Sequence, residues 1–221
     1  MTTLTDREVT ALVDPRHWRV VLGRLHATFR TGSFSRGVEL VDRIASVADE
    51  QDHHPDADLR YGHVHVSTVS HDVTALTQRD VRLAEAITAI ADELGLESEP
   101  SVPQSLEIAV DALDIPAVVP FWRAVMGYRD DGLAADDPAP VLVDPSGRGP
   151  AVWFQQMDVA RPQRNRIHLD VSVPHDVAVA RVESAVAAGG HLVSDRRAPA
   201  FWVLADPEGN EVCVCTWQNR D

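Results

Sequence analysis

Three histidines stand where acid–base chemistry near neutral pH could be done: His53 and His54, adjacent and followed by Pro55, and His71. An unperturbed imidazole holds or releases its proton around pH 6.5, so a site with several histidines can divide the acid and base roles among them. Adjacent residues on extended chain point their side chains apart, so only a fold that brings His71 alongside could assemble one three-histidine pocket. A zinc site is the competing use of such residues, with His63 and His65 on one strand face. No cysteine or well-spaced carboxylate completes a four-ligand set there, and His17, His26, His63 and His65 read as ordinary surface or strand residues.

The elements that must position these histidines are legible from patterning. Thr5 with Glu8 makes a capping box for a short first helix, which Asp14-Pro15 should end. Trp18 to Thr31 alternates as strand material up to the Gly32-Ser33 turn. Val38, Val41, Ile44, Ala45 and Ala48 form one apolar helical stripe ending in Asp49 to Asp52. Pro55 disfavours helical geometry before it, which puts the histidine pair on extended chain just past that helix. Tyr61 to His71 alternates as a strand, with Val64 and Val66 on one face and His71 at the far end. Thr77 with Asp80 opens a third helix, which Gly95 should close.

The run Asp52-His53-His54-Pro55, then Tyr61-x-x-Val64-x-Val66, Ser70-His71-Asp72 and Leu76-Thr77-x-x-Asp80-x-x-Leu83-Ala84 resembles the pterin-4a-carbinolamine dehydratases over roughly residues 5 to 95. The resemblance implies an α+β fold, with an antiparallel sheet covered by helices on one face and self-association into a homodimer or larger homo-oligomer. It further implies a pterin substrate handled without a cofactor, histidines 53, 54 and 71 as catalytic residues, and Asp49, Pro55, Ser70, Asp80 and Trp18 as substrate-binding. Two departures stand out. The acid four residues before the first histidine is Asp49 where the family usually has glutamate, and Val73-Thr74-Ala75 replaces a glycine-rich stretch.

Glu97 to Ser105, with its prolines and serines, reads as a boundary between a domain over 1–97 and another over 106–221. The second half repeats itself: strand, helix and extended material from Leu106 to Phe154, then again from Ile167 to Cys215, which predicts paired βαβββ modules around a shared cavity. Phe121-Trp122-x-x-x-Met126-Gly127, Asn165-Arg166-x-His168-Leu169-Asp170 and Asp206-Pro207-Glu208-Gly209-Asn210-Glu211 resemble the glyoxalase and bleomycin-resistance, or vicinal oxygen chelate, family.

Metal-using members of that family draw ligands from the first and last strands of both modules. By that resemblance Glu107 and His168 hold the first-strand positions, whereas Cys213 stands at a last-strand position usually held by glutamate. With Cys213 in place of the expected carboxylate ligand, no catalytic metal is expected. Glu107, Trp122, Trp153, His168, Trp202 and Cys213 are then candidates to line a pocket for an unidentified small molecule. The rival readings are a degenerate dehydratase-like binding or dimerisation module with the ligand site in the second half, and a metal-dependent lyase, isomerase or dioxygenase.

Composition bounds the partners. A formal net charge of −14 with no segregated basic patch disfavours nucleic acid. No apolar run approaches the roughly 20 residues that span a bilayer and no leader-like segment opens the chain, so the cytoplasm is the expected location. Two cysteines, Cys213 and Cys215, make no disulfide framework.

Overall fold

The computed structural model describes residues 2–132, 140–160 and 167–219. The chain divides into two compact units, Met1–Ser105 and Leu106–Asp221. Among the described residues no helix is long and apolar enough to cross a membrane.

The first unit begins with α1 (Asp6–Leu12), where the Thr5–Glu8 capping box is formed in both directions. A hairpin follows, β1 (Arg19–Val21) and β2 (Arg24–Arg30), where the sequence reads as one strand. The turn is made by Leu22 and Gly23, both at positive φ, and a leucine in the left-handed region gives no turn signal. After α2 (Phe34–Gln51) come β3 (Asp56–Leu59), β4 (His63–Thr68), α3 (Gln78–Glu93) and β5 (Glu97–Ser98). The antiparallel sheet has the order β1-β2-β4-β3, with β5 also pairing β2. Glu97 and Ser98, expected in the inter-domain connection, are therefore part of the first unit's sheet.

Alternation places Leu25, Ala27 and Phe29 of β2 and Val64 and Val66 of β4 on one buried face. Leu40, Ile44 and Ala48 of α2, and Val81, Ala84 and Ile87 of α3, close over it as one core. A Cβ on Gly37 of α2 would stand 2.4 Å from Leu59 Cδ1. The contact marks a close approach of α2 to β3, which a side chain at position 37 could enter only by displacing the end of Leu59, and α2 is the helix that leads into the histidine pair.

The second unit is two βαβββ modules. The first is β6 (Glu107–Ala112), α4 (Ile115–Met126), β7 (Arg129–Asp130), β8 (Leu142–Val143) and β9 (Ala151–Gln156). The second is β10 (Leu169–Ser172), α5 (Ala178–Ala187), β11 (His191–Arg197), β12 (Phe201–Ala205) and β13 (Glu211–Cys215). In each sheet the first strand pairs in parallel with the last, in the orders β6-β9-β8-β7 and β10-β13-β12-β11. Both modules bury their apolar faces in one core that includes Val118, Phe121 and Val125 of α4, Ala178 and Ala185 of α5, and Val152 and Val214 of the sheets. Asn165 and Arg166 of the quoted motif lie outside the described residues.

Candidate active site

The end of α2 sets the histidine pair. Asp52 takes a left-handed conformation, φ +47°, and the backbone N–H groups of Asp52 and His53 both return to the Ala48 carbonyl. This tight helix stop turns the chain out just before His53. His53 is buried and His54 exposed, the divergence expected of neighbours on extended chain.

His53 Nε2 lies 2.9 Å from Asp80 Oδ1 in the first turn of α3. Asp80 is 0% exposed and accepts from several donors at once: Thr68 Oγ1 at 2.8 Å, Ser70 Oγ at 2.7 Å and the Thr77 backbone N–H at 2.9 Å. Burial pushes the Asp80 carboxyl up, but hydrogen bonds from Ser70, His53, Thr77 and Thr68 outweigh it and hold the group below the ordinary carboxylate range. With Asp80 ionised, Nε2 of His53 must carry a proton to donate, which leaves Nδ1 as the ring nitrogen uncommitted to Asp80. The acid of the α3 capping box thus also fixes the orientation of a candidate catalytic histidine.

His54 Nε2 lies 2.9 Å from Asp49 Oδ1, both side chains in solvent. His71 follows β4 in an exposed turn closed by pairing of Ser70 with Ala75, and Thr74 in that turn has φ +48°. An open depression of about 410 Å³ brings His53, His54 and His71 together with Pro55. Asp72 and Arg79 line it as well, paired with each other through a short contact that holds the Asp72 carboxyl below its ordinary value.

Other expected contacts fall elsewhere. Trp18 is 2% exposed, donates its indole N–H to Thr88 Oγ1 at 3.0 Å and packs edge-on to Phe29, so it belongs to the core rather than the pocket. Ser70 and Asp80 are fully buried and do not line the depression; Asp80 holds His53, and Ser70 bonds Asp80 in turn. Asp49 orients His54 and does not line the depression. His17 and His26, read as surface or strand residues, are both buried: His17 bonds Ser98, and His26 sits 3.2 Å from His65, which in turn bonds Thr28. No group of three metal-ligating side chains forms around His63 and His65 among the described residues. In the sequence Arg79 reads as an ordinary first-turn helix residue, and only its place beside Asp80 signals the depression it lines.

In the second unit, Trp122 is buried and donates to Asp206 Oδ2 at 3.0 Å. Asp206 also accepts from the Glu208 and Asn210 backbone N–H groups at 2.9 Å each, while the Glu208 carboxylate accepts from Leu113 and Asp114 at the foot of α4. The Asp-Pro-Glu-Gly-Asn run therefore clamps the second module to the first, and Trp122 is part of that clamp rather than of a pocket. Trp202 stands opposite Val214 and packs against the core. Glu107 and Trp153 lie on the face of the first sheet away from buried Val110 and Val152.

His168, Asp170 and Cys213 come together, with donor atoms all within 4.8 Å of one another. Burial pushes the Cys213 thiol up to about 11, the Asp170 carboxylate adding to the effect. A ligand set drawn from both modules is not assembled: among the described residues Glu107 joins no such group. A separate depression of about 460 Å³ is lined by Ser172, Val173, Pro174, Thr216 and Trp217, and none of the expected pocket residues borders it.

Comparison with known proteins agrees with this division. The family model for pterin 4 alpha carbinolamine dehydratase matches residues 2–90. A protein of Herpetosiphon aurantiacus named "Putative pterin-4-alpha-carbinolamine dehydratase" is 39% identical over 80 residues, 36% of this chain and 83% of that protein. One of the same name from Mycobacterium leprae is 38% identical over 88 residues, 39% of this chain and 94% of that protein. The chain belongs to the pterin-4a-carbinolamine dehydratase family. It does so through its first unit, and the model for a glyoxalase-like domain matches residues 107–215 of the second. A crystal structure of a glyoxalase-related enzyme from Fulvimarina pelagi is 20% identical, covers 52% of this chain and 88% of that one, and superposes with a TM-score of 0.42.

Proposed function

We propose that the first unit dehydrates a 4a-hydroxytetrahydropterin to the quinonoid dihydropterin, with the pterin as substrate and no cofactor. One observation carries this reading: His53, His54 and His71 border one depression, and the first of them is held by a buried, ionised carboxylate. Dehydration needs a proton delivered to the departing 4a-hydroxyl, cleavage of the C–O bond as the neighbouring nitrogen's electrons form C=N, and removal of that nitrogen's proton. Water leaves and the proton count closes, one given and one taken.

His53 suits the base. A proton arriving on Nδ1 makes an imidazolium whose charge Asp80 compensates at 2.9 Å. His54 and His71, exposed to solvent, suit delivery of a proton to the hydroxyl and its replenishment from water. The Asp72–Arg79 pair on the rim offers polar contacts to the ring's amide and amino edge. The glyoxalase-like unit is assigned a small-molecule-binding or assembly role, and self-association of the chain through a sheet edge or helix face belongs to the same reading.

Nitrogen-15 labelling of the histidines tests the binding half of this proposal. Addition of 7,8-dihydropterin should shift the ring resonances of His54 and His71 and leave those of His168 and His175 in place. Shifts confined to the second unit's histidines would instead favour a first unit that serves as a binding or dimerisation module.

A further inference from the structure

In the second module β10 and β13 run parallel with Asp170 directly opposite Cys213. Facing residues of such a pair share a side of the sheet, and His168, two residues before Asp170, projects to that side too. The opposite side carries Leu169, Val171, Val212 and Val214 into or against the core, so the polar residues stand on a packed support. Cys213 is 7% exposed, whereas His168 and Asp170 are exposed, which gives the group a closed floor and an open top. His168 Nε2 is 3.4 Å from Asp170 Oδ1. Zinc bonds of about 2.0–2.3 Å place neighbouring ligand atoms roughly 3.3–3.7 Å apart in a tetrahedron, so modest side-chain adjustment closes the set.

We propose that His168, Asp170 and Cys213 form a three-ligand site for a zinc-class divalent cation, confined to the second module, with its outward position open to water or an oxygen-donor ligand. One nitrogen, one oxygen and one sulfur favour a borderline-soft ion over magnesium or calcium, which take oxygen sets. Binding exchanges the thiol proton for the metal: the S–H bond breaks, sulfur keeps the electron pair for the cation, and the proton passes to solvent. The arrangement differs from a chelate shared between modules because Glu107 takes no part.

Cobalt(II) titration of the full chain, stripped beforehand with a chelator, tests this. The expected result is one cobalt per chain with a near-ultraviolet sulfur-to-cobalt charge-transfer band, displaced by zinc. The band should vanish in Cys213→Ser, and binding should weaken at least about tenfold in His168→Ala and in Asp170→Asn. His168 and Asp170 are exposed, so those two variants report on the site even if Cys213→Ser disturbs the core. Glu107→Gln and the His54→Ala/His71→Ala double variant should bind as wild type does. Absence of the band, its survival in Cys213→Ser, or loss of binding in Glu107→Gln would each overturn the single-module site.

Discussion

His53 Nε2 and Asp80 Oδ1 are 2.9 Å apart and both side chains are buried, so one hydrogen bond to a buried carboxylate joins the end of α2 to the start of α3. The same carboxylate completes the α3 capping box through the Thr77 N–H. Stability and site geometry therefore meet in one residue.

Asp80→Ala leaves Thr68, Ser70 and His53 without their acceptor and removes one arm of the cap. The expected loss is about 3–5 kcal/mol, read from urea unfolding at unchanged slope. The pH dependence follows from the sign of the shift. The folded carboxyl lies below its unfolded value of about 3.9, so its contribution is complete above that pH and drains as pH falls through the folded value. Asp80→Asn should show a shallower loss of stability below pH 4 than wild type; identical acid profiles would remove Asp80 from this role.

His26 acts over a higher range. Burial pushes its imidazole down to about 4, with His65 and Arg24 adding to the effect, against about 6.5 unfolded. The unfolded chain binds the extra proton between those values, so stability present above pH 6.5 is lost as pH falls toward 4, by up to about 3 kcal/mol. His65, also lowered chiefly by burial, contributes with the same sign. Denaturant midpoints at pH 7 and pH 4.5 should differ less in His26→Gln than in wild type.

Thr74 holds φ +48° in the turn after His71. A β-branched residue in the left-handed region costs roughly 1–2 kcal/mol, part of which glycine returns as unfolded-state entropy. Thr74→Gly should raise stability by about 0.5–1 kcal/mol in thermal unfolding. A drop would show that Thr74 makes compensating contacts.

Much of the fold was legible in the sequence because it is written in local patterns. Both capping boxes are formed where Thr5 and Thr77 announced them; of the expected α2 stripe Ile44 and Ala48 are buried, whereas Val38 and Ala45 are exposed and Gly37 and Leu40 complete the buried face. The two echoes of strand, helix and strands are two βαβββ modules. What escaped was set by tertiary partners. β3 is an edge strand with three exposed residues and no buried face to impose alternation, and β5 is only two residues long. Trp18 and Trp122 could be told from pocket residues only through Thr88 and Asp206, which accept their indole N–H groups from far along the chain. Asp170 neighbours Cys213 for the same kind of reason: parallel register, not proximity along the strand, puts them side by side.

The central claim is most directly tested by the rate at which the full chain dehydrates 4a-hydroxytetrahydropterin, measured in a coupled pterin-recycling assay and corrected for the spontaneous reaction. The wild type should outpace buffer clearly. His54→Ala and His71→Ala should each fall by about 10²- to 10⁴-fold with unchanged circular dichroism, since both lie exposed and outside the core. Wild-type protein no faster than buffer, or variants as fast as wild type, would contradict the account.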